Sequence, residues 1–401
     1  MISAPDDVVV VAAARTPQGR LRGALSPLSA VELGAVAARA ALAAAGPLAE
    51  QVDAVVQGQV LQAGAGQNPA RQTAVAAGVA LDVPAVTVNK VCLSGLTAVI
   101  DGARLLRTGE ASVVLAGGQE SMTNAPHLLP GARAGFGYGD ATLLDAVARD
   151  GLTDAFDGRA MGLSTEEHNV GDAFVSRQEQ DAVAAASHQR AARATKDGVL
   201  ADELVPVEVP QRRGDPVVVR ADEGVRPDTT PESLARLRPA FSPDGTITAG
   251  NASQISDGAA ALVLTTRARA EAAGVSVLAT VRAAGRVAGP DRSLHSQPAR
   301  AIAAALDRQG WTAGDLDHVE INEAFAAVAV VSTRALGLDP SVVNPHGGGI
   351  SLGHPIGASG ARLVVHAAHV LARRAAEGLP GRAAVGLCGG GGQGDALLLE
   401  V

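Results

Sequence analysis

AVTVNKVCLSGLTAVIDGARLL, residues 85–106, changes its periodicity partway along. Ala85 to Val88 is short, apolar and β-branched, the composition of a strand buried in a sheet. From Ser94 onward, Leu96, Val99, Ile100, Ala103 and Leu106 recur at helical spacing. A strand therefore turns into a helix at Cys92. The start of a helix offers unpaired N–H groups and the positive end of its dipole, and both favour a thiolate over a thiol. Burial as a small apolar residue is the commoner fate of a lone cysteine. Position alone leaves Cys92 between those two roles, and the rest of the chain decides.

The neighbouring segments repeat the alternation. Val8 to Ala13 predicts a strand, followed by a turn-rich stretch through Pro17, Gly19 and Gly23. Leu28 to Ala45 reads as an alanine-rich helix, with Ser26 and Ser29 near its start and Gly46 beyond its end. Val52 to Val60 predicts the next strand, and Asn68 to Ala77 a helix that Gly78 stops. Ser112 to Ala116 supplies another strand, ending in Gly117 and Gly118. Such alternation implies an α/β fold with a largely parallel, helix-covered sheet.

Composition narrows the function classes. A chain of 401 residues exceeds one core and should divide into two or three domains. Hydrophobic residues make up 47% and aromatics only 2%, so the cores must be built from Ala, Val and Leu. A formal charge of −8 argues against a nucleic-acid surface. No apolar run approaches the ~20 residues of a membrane span, and Asp6 and Asp7, with no basic head, argue against a signal peptide. Two cysteines 296 positions apart give neither a disulfide framework nor zinc spacing, so the expectation is no metal and a reducing cytoplasm.

From about Met122 to Ala240 the regular rhythm stops, with Pro126, Pro130, the glycines from 131 to 139 and QRRGDPVVVRADEGVR. Gln178 to Thr195 still reads as an amphipathic helix, which makes the segment an inserted domain or lid. Its basic residues Arg190, Arg193, Lys196, Arg212, Arg213, Arg220 and Arg226 form either a solvated face or a site for phosphate groups. After Ala249 the rhythm returns with strands over Ala259 to Thr265, Val277 to Ala284 and His318 to Ile321, and a helix over Gln297 to Gln309. SGARLVVHAAHVL, Ser359 to Leu371, then mirrors SGLTAVIDGARLL, Ser94 to Leu106. AAVGLCGGGGQG, Ala383 to Gly394, mirrors SVVLAGGQES, Ser112 to Ser121. The expected organisation is a duplicated βα domain: residues 1–121 with 241–272, an insert at 122–240, and a second copy at 273–401.

Duplication gives the remaining polar residues a place. NPHGGGISLGHPIGASG, Asn344 to Gly360, delivers His354 to the mouth of the second helix, the counterpart of Cys92 in the first. A histidine there suits a general base for a thiol. Cys388 lies where a buried strand empties into four glycines, whose backbone N–H groups are free to approach a developing oxyanion. Asn322, in NEAFAA, either caps a helix or orients a water. Two thiols and a histidine without metal spacing suit acyl transfer through a thioester.

VCLSGL at Cys92, GGQESM at 117–122, NASQISDGAAA at 251–261, NEAF at 322–325, GHPIGASG at 353–360 and CGGGGQG at 388–394 together resemble the thiolases, over essentially the whole chain and in the family's order. The resemblance implies a layered α-β-α-β-α fold and a CoA-dependent acyltransferase, an acetyl-CoA C-acetyltransferase or a 3-ketoacyl-CoA thiolase. It implies Cys92 as the acylated nucleophile, His354 as its base and Cys388 as the group that moves the α-carbon proton. His354 with a water on Asn322 would form one oxyanion hole, and the N–H groups of Cys92 and Gly390 the other. DEGVRPDTTPESLARLRPAF resembles the coenzyme-binding stretch, which assigns Arg226 and Ser233 to the nucleotide end and Ser253 to the pantetheine arm. Coenzyme A and acetyl-CoA enter as substrates, with no covalently bound cofactor, and the family is at least dimeric and often tetrameric.

Three positions depart from the family pattern: Ala160 where the short-chain biosynthetic members carry His, Leu294 in place of Met, and Leu93 where Ser is common. They bear on acyl-chain preference and touch none of the catalytic positions. A carrier-protein ketosynthase would share the fold but lacks the chemistry of Cys388 and this insert. A non-catalytic lipid- or CoA-binding module has no need of Cys92, His354, Cys388 and Asn322 together. A dinucleotide loop at CGGGGQG fails on spacing.

Overall fold

The computed structural model describes residues 6–401. Its main sheet is built from β1 (Val8–Arg15), β2 (Ala54–Gly58), β3 (Ala85–Val88), β4 (Val113–Ser121), β5 (Ser256–Thr266), β6 (Ala279–Ala288), β7 (His318–Ile321), β8 (Arg382–Gly389) and β9 (Gln393–Glu400). The strand order is β3-β2-β4-β5-β1-β6-β9-β8-β7. Read outward from the β1–β6 seam, each half runs through two antiparallel pairings before turning parallel, with two parallel pairs in the first half and one in the second. Val319 bridges Val343 in parallel at the place where the first half has β3. Val9–Thr280 and Val10–Ala279 join the halves into one sheet.

The sheet is mixed, which corrects the largely parallel expectation. Only β2–β3, β2–β4 and β7–β8 are parallel. The turn of Gly390–Gly392 between β8 and β9 is too short for a crossover, so that pair closes as an antiparallel hairpin. Gly117 and Gly118 do not end β4, which continues to Ser121. They are glycine because a Cβ would meet the Ala260 carbonyl oxygen at 2.2 Å or that of Gly357 at 2.2 Å.

Two central helices, Ser94–Thr108 and Ser359–Ala376, fill the space between the two halves of the sheet. Leu96, Val99, Ile100, Leu363, Val364 and Leu371 join inward residues of both halves in one core. Outer helices complete the layers. Ala30–Ala44, capped by Ser29 and Glu32, covers the first half, and Gln297–Gln309 covers the second. The central helices meet at their first turns, where each Ser-Gly pair faces the other. A Cβ on Gly95 would lie 2.8 Å from the Ala361 nitrogen, and one on Gly360 2.4 Å from that of Leu96.

Residues 122–240 carry two short hairpins, His127–Leu128 with Leu144–Asp145 and Val207–Val209 with Val217–Val219. They also carry the helix Arg177–Lys196, started by a capping box of Ser176 and Glu179. This helix is fastened to the second half. Ser187 donates to Glu323 at 2.6 Å, and Arg190 donates to the carbonyls of Val343, Asn344 and Pro340. Arg190 is therefore committed to the scaffold and is not part of a phosphate site.

Gly360→Ala should lower stability by about 1–3 kcal/mol, because its methyl group meets backbone that cannot move aside. Gly137→Ala, where a Cβ meets nothing within 4 Å, should leave the denaturation midpoint unchanged. Equal midpoints for the two variants would refute the helix contact.

Candidate active site

Cys92 stands just before the first central helix on a turn that the sequence around it enforces. Val91 has φ 51°, a left-handed conformation costly for a β-branched residue. Three hydrogen bonds hold it there. The Val91 N–H donates to Asn89 Oδ1 at 3.0 Å, Ser94 Oγ donates to the Val91 carbonyl at 2.6 Å, and the Lys90 N–H donates to Ser94 Oγ at 2.9 Å. Lys90 Nζ also reaches Asp395 at 2.7 Å, which ties the turn to β9 of the second half.

The backbone N–H groups of Cys92 and Gly390 lie close enough to the Cys92 sulfur to favour its charged form. Burial nevertheless pushes the thiol up to about 12, against the pull of those donors. The dipole-stabilised thiolate expected from the sequence is thus reversed, because desolvation outweighs the helix terminus. Cys388, buried on β8, is raised further by burial and by the nearby Cys92 sulfur. Both thiols rest protonated, and either needs a base to react.

His354 supplies a neutral ring. Burial, with a smaller push from the Arg362 guanidinium, lowers it to about 3. Its Nδ1 lies 2.5 Å from Ser359 Oγ, which itself donates to the Pro355 carbonyl at 2.9 Å. Ser359 must therefore accept from an Nδ1–H, leaving Nε2 as the lone-pair nitrogen. That Nε2 faces Asn322 Nδ2 at 3.4 Å. Asn322 Oδ1 is buried with no partner, a polar atom suited to a water. Asn322 emerges from the end of β7, and Asn344 supports it by exchanging hydrogen bonds with the Ile321 backbone.

Ser94, Ser359 and Glu120 are functional neighbours that the sequence reading missed. The Ser-Gly pair at each helix start was a usable signal for the serines, since each pins the loop before it. Glu120 accepts from the N–H groups of Val60 and Leu61 in the first half and Gly357 in the second. Burial raises it to about 7 despite those donors.

A cleft of about 630 Å³ opens beside His354, lined by Ala160, Met161, Ser253, Phe325 and Ile356. Ile356 also packs in the apolar cluster around Cys92, and Met161 in that around Cys388. Leu294 joins the Cys388 cluster, and Leu93 is the side chain a Cβ on Gly389 would strike at 2.7 Å. All three departures from the family pattern therefore border the acyl end of the site. Of the residues expected to hold the coenzyme, Ser253 lines the cleft, whereas Arg226 and Ser233 are exposed. The Arg226 N–H donates to His188 Nδ1 at 3.1 Å, and Ser233 closes a capping box with Thr230.

Residues 8–268 match the thiolase N-terminal domain and residues 275–401 the thiolase C-terminal domain. The chain is 58% identical over 392 residues to a probable acetyl-CoA acetyltransferase of Mycolicibacterium smegmatis, covering 98% of this chain and 100% of that one. It is 49% identical over 395 residues to an acetyl-CoA acetyltransferase of Pseudomonas aeruginosa, covering 98% and 99%. A third, from Cupriavidus necator, is 47% identical with the same coverage. The match over both domains and identities of 47–58% along nearly the whole length make this chain a member of the thiolase family.

Proposed function

We propose that the chain is an acetyl-CoA acetyltransferase, which condenses two acetyl-CoA to acetoacetyl-CoA and free CoA and runs the reverse thiolysis, a step of lipid metabolism. The observation that carries this reading is that one cleft is walled by His354, which faces Asn322 at 3.4 Å, by Ile356 from the apolar cluster around Cys92, and by Met161 and Phe325 from the cluster around Cys388. In the first half-reaction the Cys92 proton passes to His354 Nε2 as the sulfur attacks the thioester carbonyl. The tetrahedral oxyanion collapses, and CoA leaves with that proton. In the second, Cys388 passes its own proton to His354 Nε2 as it removes the α-proton of another acetyl-CoA, whose enolate oxygen accepts from the resulting His354 Nε2–H and from a water on Asn322. The carbanion attacks acetyl-Cys92, the Cys92 and Gly390 N–H groups hold the new oxyanion, and collapse frees Cys92 as a thiolate that takes the proton from His354 Nε2, while Cys388 keeps the α-proton.

Arg226 and Ser233 hold the nucleotide end of CoA and Ser253 the pantetheine arm. The small side chain of Ala160 on the cleft wall favours a second reading, 3-ketoacyl-CoA substrates with longer acyl chains; cleavage rates across a chain-length series separate the two. CoA enters as substrate, and the protein works as a cytoplasmic homo-oligomer, a dimer or tetramer. No helix among the described residues is long and apolar enough to cross a membrane. The exposed edge strand β3, with Val86 51% exposed, supports association.

Incubation with acetyl-CoA should acetylate the peptide holding Cys92, and Cys92→Ser should abolish the adduct; mass spectrometry finding acetyl on Cys388 alone would reverse the assignment. Cys388→Ala should still exchange labelled CoA with acetyl-CoA while condensation and thiolysis fall about 10²–10⁴-fold, the scale of a lost general acid–base group. His354→Ala should depress both activities, and equal loss of both in folded Cys388→Ala would merge the two thiol roles. Arg226→Ala should raise KM for CoA substrates with little change in kcat, since a phosphate contact binds ground and transition states alike. A collapse of kcat at constant KM would remove Arg226 as an anchor.

A further inference from the structure

Where β7 meets the second central helix, a group of buried side chains plays no part in this reaction. His318 and Glu320 alternate along β7, so both project from one face of the strand. His366, on the helix Ser359–Ala376, reaches the same point. The three residues are 3%, 0% and 2% exposed. His318 Nε2 lies 3.0 Å from Glu320 Oε1, and His366 Nε2 lies 3.9 Å from the same oxygen. All the donor atoms fall within 4.8 Å of one another. A tetrahedral ion with bonds of about 2.1 Å holds its donors about 3.4 Å apart, between the two distances found here.

Two further observations point to a cation. First, His318 Nε2 and Glu320 Oε1 approach closely yet too obliquely to hydrogen-bond, and neither has another partner. Buried polar atoms nearly always find one, and two such atoms 3.0 Å apart suit a shared ion. Second, His366 Nδ1 lies 2.7 Å from Glu203 Oε2. That carboxylate accepts from the Nδ1–H, the arrangement typical of a metal-bound histidine, and Nε2 stands 3.0 Å from His346 Nδ1 and 3.9 Å from Glu320 Oε1.

The surrounding charge agrees. Glu203 and Asp222 pair with Arg15, and Glu320 with Arg362, so three carboxylates face two guanidiniums and one negative charge remains.

We propose that His318, Glu320 and His366 bind one divalent cation of the zinc class, with Glu203 orienting His366. Two imidazoles and a carboxylate favour zinc over calcium or magnesium, which prefer all-oxygen sites. His346, whose Nδ1 lies 3.0 Å from His366 Nε2, stands beside the open position. The ion is structural: it joins β7, which leads to Asn322, to the helix that follows His354. Cysteine spacing gave no sign of it, because the ligands are a strand pair and a helix residue 46 positions further on.

The test is the metal content of the full chain, expressed in zinc-supplemented medium and stripped of loose metal on a chelating column. The expected content is about one zinc per chain, falling below about a tenth of that in His318→Gln and His366→Gln. Wild-type protein with less than about a tenth of an equivalent overturns the proposal without any variant. Full retention of metal in a folded variant overturns it as well, since the ion then lies elsewhere. Should either variant fail to fold, X-ray absorption of cobalt-grown wild type decides: imidazole scattering supports the site, and an all-oxygen shell refutes it.

Discussion

The active site depends on a backbone-to-backbone contact between two helix starts. At Gly95 and Gly360 the central helices approach so closely that a single methyl group on either would strike the other's main chain. Each helix is preceded by the loop that carries a reactive side chain, Cys92 before one and His354 before the other. Wider spacing would bring larger side chains into the seam and draw those loops apart. The hydrophobic core beneath, made from both halves of the sheet, fixes the rest of the helix pair. The two small residues thus convert a duplicated scaffold into one shared site.

Desolvation then sets the protonation states. Both thiols are raised and His354 is lowered, each chiefly by burial. A resting thiolate–imidazolium pair is excluded by that balance, so proton transfer must accompany bond formation at sulfur. The donors on the Cys92 sulfur do not produce a free thiolate; they are already placed where negative charge gathers during reaction. For His354 the sign is clear. A folded-state value of about 3 lies below the ordinary 6.5, so its contribution to stability is complete above about pH 6.5 and is lost as pH falls toward 3. Glu120 shifts the other way, to about 7, and carries its excess proton when the surroundings are neutral or acidic.

Most of the architecture was legible because period and punctuation agree. Gln297–Gln309 and His318–Ile321 fall where their apolar pattern and flanking residues put them. Gly117 and Gly118 misled, because a strand glycine forced by a neighbouring carbonyl looks like one that ends a strand. The sheet's direction was misread for a similar reason, since a short glycine turn and a crossover share composition. The internal repeat and the family motifs singled out Cys92, His354 and Cys388 as candidate site residues, and the motifs alone Asn322. The fixed tautomer of His354 and the role of Glu120 were not, because each rests on contacts between segments far apart in sequence.

Strand β7 shows how one periodicity serves two ends of the molecule. His318, Glu320 and Asn322 share a parity, so they form a row along one side of the chain. Facing them along the second central helix and the loop before it are His366, Arg362 and His354, joined to that row at 3.9, 3.3 and 3.4 Å. The row is a continuous polar seam through an otherwise alanine, valine and leucine interior. Arg362 stands at its middle, and its charge both pairs with Glu320 and helps to hold His354 neutral. In a low-dielectric interior such charges are weakly screened, so the field of the Arg362 guanidinium is felt at the His354 ring. Replacing Glu320 by an uncharged residue would leave the Arg362 guanidinium without its buried partner and turn more of that field on His354.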